Sequence, residues 1–427
     1  MEYQIFNQFV IENLSIMISN ILIAFIISML ITPWIGRLAK FLKVFDLPKN
    51  LRSSSERGYS TRIHKDAYIK LGGLSVVITM VIITTILIVS GRVDTQIVSS
   101  PMFFFVGIGA FVIIILGYID DKYEIPSVVQ LLMQIIAAAS VVFAGLSIKN
   151  IFFLGININL SWFNFQFNLL NAPIEFIFPG SIITILWVVG LINVVNWVGG
   201  IDALNASLSS VSFAALIILA LSTGQITIAI LVSLYLGALL GVLPYNYNPG
   251  KIMYGSIGDY MNGYFLAVFA ILASTRWSIT FIILAIPILD GLYVFYQRFK
   301  NNPKIRKNPM KVLTLSGKEH LHHRLLDAGF SQKGVVLFEV GLKILITSIV
   351  IFFTDIRLEY LGFLISIAIF LIALSSIAFL KNKSNRKQRL KSLILSDTEL
   401  TTNPKIEANE KLIFKEVDDS DQEKFIY

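Results

Sequence analysis

Runs of about twenty apolar residues recur along this chain, and no other feature constrains its fold as strongly. A helix of about twenty residues rises far enough to cross a hydrocarbon core of about 30 Å. Of the 427 residues 55% are hydrophobic and only 15% charged, where a soluble protein carries about a quarter charged residues. A soluble core could not hide so many apolar runs, so the expectation is an all-α polytopic membrane protein. The runs lie near residues 14–35, 72–90, 101–118, 128–146, 181–198, 206–222, 226–243, 262–274, 278–297, 335–354 and 361–380, which predicts about 11 transmembrane helices. The first run is longer than the apolar part of a leader peptide and no small-residue cleavage site follows it, so no cleavable leader is expected. No internal repeat is visible, which weighs against an inverted-repeat transporter.

Basic residues set the expected orientation, because loops rich in lysine and arginine stay inside. The loop 36–71 carries nine of them: Arg37, Lys40, Lys43, Lys49, Arg52, Arg57, Arg62, Lys65 and Lys70. The loop 298–334 carries nine more, whereas the loops on the other side share only Arg92, Lys149, Arg276 and Arg357. The N-terminus is therefore expected outside and the C-terminus inside. The net charge of +8 then reads as basic loops against an anionic leaflet, with no nucleic acid involved. With no cysteine in the chain, a disulfide, a thiolate nucleophile and a cysteine metal site are all excluded.

Two segments lie outside the helical pattern. Residues 147–180 alternate (Ile156, Asn157, Ile158, Asn159, Leu160) and then carry Trp162, Phe163, Phe165 and Phe167, which predicts a small outer β-hairpin at the interface. Residues 381–427 turn polar and lose periodicity, which predicts a membrane domain over 1–380 and a disordered cytoplasmic tail over 381–427.

The polar residues gather on the inner loops, including all four histidines, His64, His320, His322 and His323. Asp120 and Asp121 stand side by side where the third span ends. Adjacent carboxylates repel and are costly unless a cation is near. They suit a divalent metal or a base acting on a phosphate, and equally a solvated loop. Asn193 and Asn196, three apart on one helical face, precede Gly199, Gly200 and Asp202. They read as a ligand site, or as a helix end followed by an N-capping aspartate. The loop before the eighth span, Gly255 to Asp259, suits an anion at a helix start, or an ordinary first turn with Asp259 as the dipole's partner. His320, His322, His323 and Arg324 form a compact cationic or hydrogen-bond-donating cluster suited to a diphosphate. Zinc is the competing reading of the histidines, which the adjacent arginine disfavours.

These segments, in this order, resemble the polyprenyl-phosphate N-acetylhexosamine-1-phosphate transferase family (the MraY/WecA-like glycosyltransferase family 4) over roughly residues 20–380. The family's aspartate pair matches Asp120 and Asp121. Its N-x-x-N-x-x-D-G-x-D-G-L signature matches Asn193, Asn196, Gly200, Asp202 and Leu204. Its H-x-H-H-R-L-L loop matches His320, His322, His323, Arg324, Leu325 and Leu326. Its amino-terminal basic motif, ending H-K-x-P-x-P-x-L-G-G, matches Arg62, His64, Lys65, Leu71, Gly72 and Gly73, and the segment around Asp290 looks like its ninth helix. The HLHHR spelling looks like the WecA/TagO-like branch, which uses UDP-N-acetylhexosamines.

The resemblance implies transfer of N-acetylhexosamine 1-phosphate from a UDP-sugar to undecaprenyl phosphate, releasing UMP and initiating cell-surface glycan synthesis. It implies catalytic roles for Asp120, Asp121 and Asp202, and substrate binding by Asn193, Asn196, His320, His322, His323, Arg324, His64 and Lys65. It implies magnesium, or manganese in its place, on Asp120, Asp121 and Asp259. The partners implied are a UDP-N-acetylhexosamine, undecaprenyl phosphate, the lipid bilayer and a second copy in a homodimer. The location implied is the bacterial cytoplasmic (inner) membrane, with the active face cytoplasmic.

The chain also departs from the pattern. Ser256 stands where the family's G-D-x-G-S loop has its metal-binding aspartate, so Asp259 is expected to reach a metal only if the loop shifts by nearly a turn. Gly199 and Ala203 replace an aspartate and a glycine of the second signature, and Ala67 and Ile69 replace two prolines. A serine hydroxyl is a far weaker ligand for magnesium than a carboxylate. The alternative function is therefore a catalytically degenerate paralogue that binds lipid phosphate or UDP-sugar.

Overall fold

In a hydrocarbon surrounding, a backbone must satisfy its own polar groups, which a helix does within one segment. Each apolar run coincides with a helix in the computed structural model, which describes residues 2–46, 68–91, 100–153, 156–169, 172–273, 284–301, 319–355 and 361–377. The helices are α1 (Glu2–Phe41), α2 (Gly72–Val89), α3 (Pro101–Tyr123), α4 (Ser127–Phe143), α5 (Gly180–Trp197), α6 (Leu204–Ser222), α7 (Ile226–Asn246), α8 (Gly255–Ala273), α9 (Ala285–Asn301), α10 (Leu321–Asp327), α11 (Gln332–Asp355) and α12 (Leu361–Ile377). Among the described residues, eight are long and apolar enough to cross a membrane, whereas α4 and α12 are apolar but shorter. His64 and Lys65, and the tail over 381–427, lie outside the described residues.

The core lies around α6 and α8, where 78% of each apolar stretch is buried, against 17% in α1. Helix α6 is rich in small residues, with Ala206, Ser209, Ser210 and Ser212 all buried, which lets neighbouring backbones approach closely. The outer helices turn large apolar side chains outward, among them Leu30, Trp34, Phe111, Leu186 and Leu337. Such a surface is costly in water and needs no further cover in lipid.

A buried polar knot fixes the register of the central helices. Asn262 on α8 accepts from the Tyr235 hydroxyl of α7 at 3.0 Å and from the Tyr254 hydroxyl at 2.9 Å. Its amide donates to Asn205 on α6 at 3.0 Å, and Asn205 donates to the Val195 carbonyl of α5 at 2.6 Å. One asparagine thus joins three neighbouring segments directly and a fourth through Asn205.

Three differences from the sequence expectation have physical causes. Helix α8 begins at Gly255 rather than near 262, because its first turns carry Ser256 and Asp259 and so fall outside an apolar window. The segment after α4 forms two antiparallel hairpins rather than one, β3–β4 (Asn150–Phe153 with Ile156–Asn159) and β5–β6 (Ser161–Leu169 with Ala172–Pro179). A further pair, β1 (Phe45–Asp46) with β2 (Tyr68–Ile69), lies at the opposite end of the bundle, and two-residue strands leave no periodicity to read. Met253 donates its N–H to the Ile69 carbonyl at 2.7 Å, which ties β2 to the loop before α8.

Replacing Asn262 by leucine strands two buried hydroxyls and leaves Asn205 Oδ1 with Ser209 as its remaining donor. Asn262→Leu is expected to cost about 2–3 kcal/mol, read as a lowered midpoint when detergent-solubilised protein is unfolded with dodecyl sulfate. Thr85→Ala, at an exposed hydroxyl that bonds only its own helix, is expected to stay within about 0.5 kcal/mol. Equal midpoints for the two variants would remove the knot's structural role.

Candidate active site

The acidic pair sits on the last turn of α3, which Glu124 closes with a left-handed φ of 52°. Successive residues on a helix point about 100° apart, so the two carboxylates meet different neighbours. Asp120 Oδ1 accepts from Gln130 Nε2 at 2.8 Å, while its Oδ2 accepts from Ser256 Oγ at 2.8 Å and the Tyr260 hydroxyl at 3.1 Å. Asp121 is fully enclosed: its Oδ1 accepts from the Ser256 N–H at 2.8 Å and faces Lys70 Nζ at 3.5 Å. Its Oδ2 has no hydrogen-bond partner. Gly255, with φ 78°, allows this close pass, since a Cβ there would lie 2.6 Å from Asp121 Oδ2.

Lys70 also pairs with Asp46 at 3.3 Å. Burial works against its charge, but Asp121 and then Asp46 outweigh burial and hold its pKa above the usual lysine value. It stays an ammonium. Strand β2 delivers it, with the Lys70 N–H donating to the Val44 carbonyl at 3.3 Å.

Asp259 lies one turn after Ser256 on α8, on the same face. It lines the same cavity as Asp120, Asp121 and Lys70, of about 390 Å³. No shift of the loop is needed to bring it there. Its Oδ1 has no hydrogen-bond partner.

The end of α5 and the loop after it form the facing wall through Asn196, Gly199, Gly200 and Asp202. Asp202 Oδ2 accepts from Asn248 Nδ2 and from the Gly250 N–H, both at 3.1 Å, so it also anchors the loop before α8. Ala203 takes φ 63°, where a glycine would carry no strain. The two asparagines separate. Asn196 reaches the cavity, whereas Asn193 is one turn deeper and donates to Gln134 on α4 at 2.5 Å and to the Val189 carbonyl at 2.8 Å. A polar side chain at that depth must find a protein partner, and a neighbouring helix supplies it.

The histidines form a second, buried group next to Gly200. A Cβ on Gly200 would lie 3.0 Å from His322 Nε2, which puts His322 against the cavity wall. His320 Nδ1 meets Asp290 Oδ2 at 2.8 Å, and Asp290 Oδ1 accepts the Leu321 N–H at 2.8 Å, so one buried carboxylate orients the start of α10. The His320 and His322 rings lie parallel at 5.7 Å, and His323 is 4.3 Å beyond. Arg324 lies over the Tyr293 ring at 4.6 Å with its Nη1 lacking a hydrogen-bond partner. Burial, and then His323 and His320, hold the His322 pKa well below the usual imidazole value. His322 is therefore neutral, and the cluster offers hydrogen-bond donors at that position rather than a cation.

Among the described residues, no three histidine, aspartate or glutamate side chains converge as a metal cage. Magnesium is more often held by one or two carboxylates together with substrate phosphates and water. Asp259, which lines the cavity and whose Oδ1 has no hydrogen-bond partner, fits that mode. Sequence reasoning missed Lys70, Asp46, Gln130 and Tyr260. The one available signal was the position of Lys70 immediately before Leu71, Gly72 and Gly73.

The depressed His322 pKa has a stability consequence. Below about pH 6.5 the unfolded chain takes up a proton at His322 that the folded chain refuses, so stability is present above that pH and falls as pH drops. His322 contributes a fall in thermal midpoint between pH 7.5 and pH 5.5, so the midpoint of His322→Gln is expected to fall less over that range than that of the wild-type protein. Parallel slopes for the two proteins would contradict a neutral buried His322.

The model of Glycosyl transferase family 4 matches residues 102–274. The chain is 30% identical over 346 residues to the probable undecaprenyl-phosphate N-acetylglucosaminyl 1-phosphate transferase of Bacillus subtilis, covering 78% of this chain and 85% of the relative. It is also 30% identical over 298 residues to a phospho-N-acetylmuramoyl-pentapeptide-transferase of Staphylococcus aureus, covering 68% of this chain and 87% of the relative. Similar over most of its length to transferases of one kind, and built from helices that can cross a membrane, the chain belongs to the MraY/WecA-like glycosyltransferase family 4 as a multi-pass membrane protein.

Proposed function

We propose that this protein transfers an N-acetylhexosamine 1-phosphate from its UDP-sugar to undecaprenyl phosphate, releasing UMP and opening the synthesis of a cell-surface glycan. The observation that carries the reading is the cavity at one end of the helical bundle, where Asp120, Asp121, Asp259 and Lys70 converge. A soluble nucleotide sugar and a lipid-borne phosphate can meet only at such a boundary. The printed names of the two relatives, an undecaprenyl-phosphate N-acetylglucosaminyl 1-phosphate transferase and a phospho-N-acetylmuramoyl-pentapeptide-transferase, support the reaction class. The HLHHR loop, His320 to Arg324, supports the N-acetylhexosamine as cargo.

In the proposed reaction an oxygen of the lipid phosphate attacks the sugar-bearing phosphorus of the UDP-sugar. The new P–O–P bond joins lipid and sugar phosphate, and the old bridge leaves as UMP. Asp121 takes the proton of the lipid phosphate on its free Oδ2. Asp120 is less suited to that task, because Gln130, Ser256 and Tyr260 already occupy its oxygens. Lys70 holds Asp121 in place and offsets charge as the two phosphates approach. Asn196, which lines the cavity, binds the nucleotide, and His322, His323 and Arg324, beside Gly200 in its wall, donate hydrogen bonds to the diphosphate. A magnesium ion, held through Asp259 with the diphosphate, would supply charge neutralisation at the transferring phosphoryl group.

The same reading places the cavity on the cytoplasmic side of the bacterial inner membrane, with hairpin β5–β6 outside and a homodimer as the working unit. The absence of native cysteine makes the topology testable. A cysteine replacing Gln166 is expected to react with an impermeant maleimide in intact cells, and one replacing Lys333 only after permeabilisation. The reverse pattern would invert the orientation.

Turnover is the direct check. Purified protein with UDP-N-acetylglucosamine and undecaprenyl phosphate is expected to release UMP, and chelation of magnesium to stop it. Asp121→Asn is expected to lower the rate at least about 100-fold. Full turnover in both Asp120→Asn and Asp121→Asn would sink the assignment. The second reading, a binding-only protein, is motivated by Ser256 and Gly199. Retained UDP-sugar binding without UMP release from the wild-type protein would favour it.

A further inference from the structure

Gly199 lies just past the end of α5, in the wall that faces Asp259. A Cβ on Gly199 would lie 2.1 Å from Asp259 Oδ2 and 2.8 Å from its Cγ, closer than any side-chain carbon tolerates. The Asp259 carboxylate therefore occupies the volume that a side chain at 199 would need. Asp259 is only 7% exposed and its chain neighbours Gly258 and Tyr260 are buried as well, so a side chain at 199 would displace the carboxylate from its packed position. Its other oxygen, Oδ1, has no hydrogen-bond partner.

Ser256, one turn earlier on the same face of α8, does the opposite work. Its hydroxyl donates to Asp120 and its N–H to Asp121. It consumes carboxylate lone pairs and contributes no charge.

We infer that Gly199 and Asp259 are a complementary pair: the glycine vacates the space through which the Asp259 carboxylate reaches the cavity, and that carboxylate is the cation-binding group that position 256 does not provide. Asp259 is thereby a ligand toward the divalent ion accompanying the diphosphate, and Gly199 is a positioning residue whose role is the absence of a side chain. The inference rests on the transferase reading for the identity of the ligand. Its steric half rests on geometry alone.

The test is a double-mutant cycle on the full chain in detergent. Mn²⁺ is titrated by electron paramagnetic resonance in the presence of UDP-N-acetylglucosamine and without lipid acceptor. Asp259→Ser is expected to weaken Mn²⁺ binding at least about tenfold. Gly199→Ala is expected to weaken it by a similar factor, because the added methyl displaces the carboxylate. The double variant Gly199→Ala/Asp259→Ser is expected to bind no more weakly than Asp259→Ser alone. Unchanged affinity in Asp259→Ser, or an equal loss from Gly199→Ala whichever residue stands at 259, would overturn the pair. Should Gly199→Ala fail to fold, recovery of a monodisperse protein in the double variant supports the steric fit, and no recovery overturns it. Wild-type protein that binds Mn²⁺ but releases no UMP would sink the transferase reading and leave the pair standing. Wild-type protein that releases UMP, with Asp259→Ser binding Mn²⁺ normally, would do the reverse.

Discussion

Carboxylates sharing a poorly solvated cavity repel one another, and the arrangement around Asp120, Asp121 and Asp259 is a graded answer to that repulsion. Asp120 receives three neutral donors, from Gln130, Ser256 and Tyr260. Asp121 receives one backbone N–H and a buried ammonium. Asp259 has an oxygen that receives nothing. Removing Lys70 would leave Asp121 a buried charge without its counterion, the costliest arrangement a folded chain can hold. The brief pairing of β1 with β2 matters for that reason, since it alone among the described elements carries Lys70 and Asp46 to the same point. The negative charge still unbalanced in the cavity is the property that the proposed reaction uses.

Helix α8 transmits this arrangement to the rest of the bundle. Ser256, Asp259 and Tyr260 on its first turns face the cavity. Asn262 and Tyr264 follow within the next turn, and each is tied to another part of the bundle, Tyr264 through its hydroxyl to the Val106 carbonyl of α3 at 2.9 Å. Apolar contacts alone would let a helix slide or rotate among neighbours of equal hydrophobicity. Directional polar ties in a low-dielectric interior do not. The rotational setting of α8, and with it the direction of the Asp259 carboxylate, is therefore determined by the same few hydrogen bonds that hold α5, α6 and α7 together.

The sequence was legible where the signal is periodic or local. Among the described residues each of the eleven apolar runs meets a helix, eight of them long and apolar enough to cross a membrane, because hydrophobic length is a property of contiguous residues. Asp120 and Asp121 could be singled out because adjacent carboxylates at a helix end are unusual in themselves. Long-range relations could not be read. Nothing near Lys70 in sequence announces an aspartate fifty-one positions away, and nothing in the spacing of Asn193 and Asn196 reveals that one faces a cavity and the other Gln134. The histidine segment was legible as a cluster but not in its charge, because the burial that keeps His322 neutral comes from packing rather than from its neighbours in the chain.

A motif compared position by position treats each residue as independent, and on that basis Gly199 and Ser256 are two separate losses. Side chains that line one cavity are not independent. Residues three apart on a helix share a face, and the axial step between them is about 4.5 Å. The cavity that receives them, at about 390 Å³, is wider than that step. A carboxylate moved from position 256 to position 259 therefore remains in the same wall, provided the opposite wall recedes where the new side chain arrives. Glycine at 199 is that recession. A serine at 256 then donates its hydroxyl to Asp120, where a third carboxylate at that distance could sit only with a cation between them.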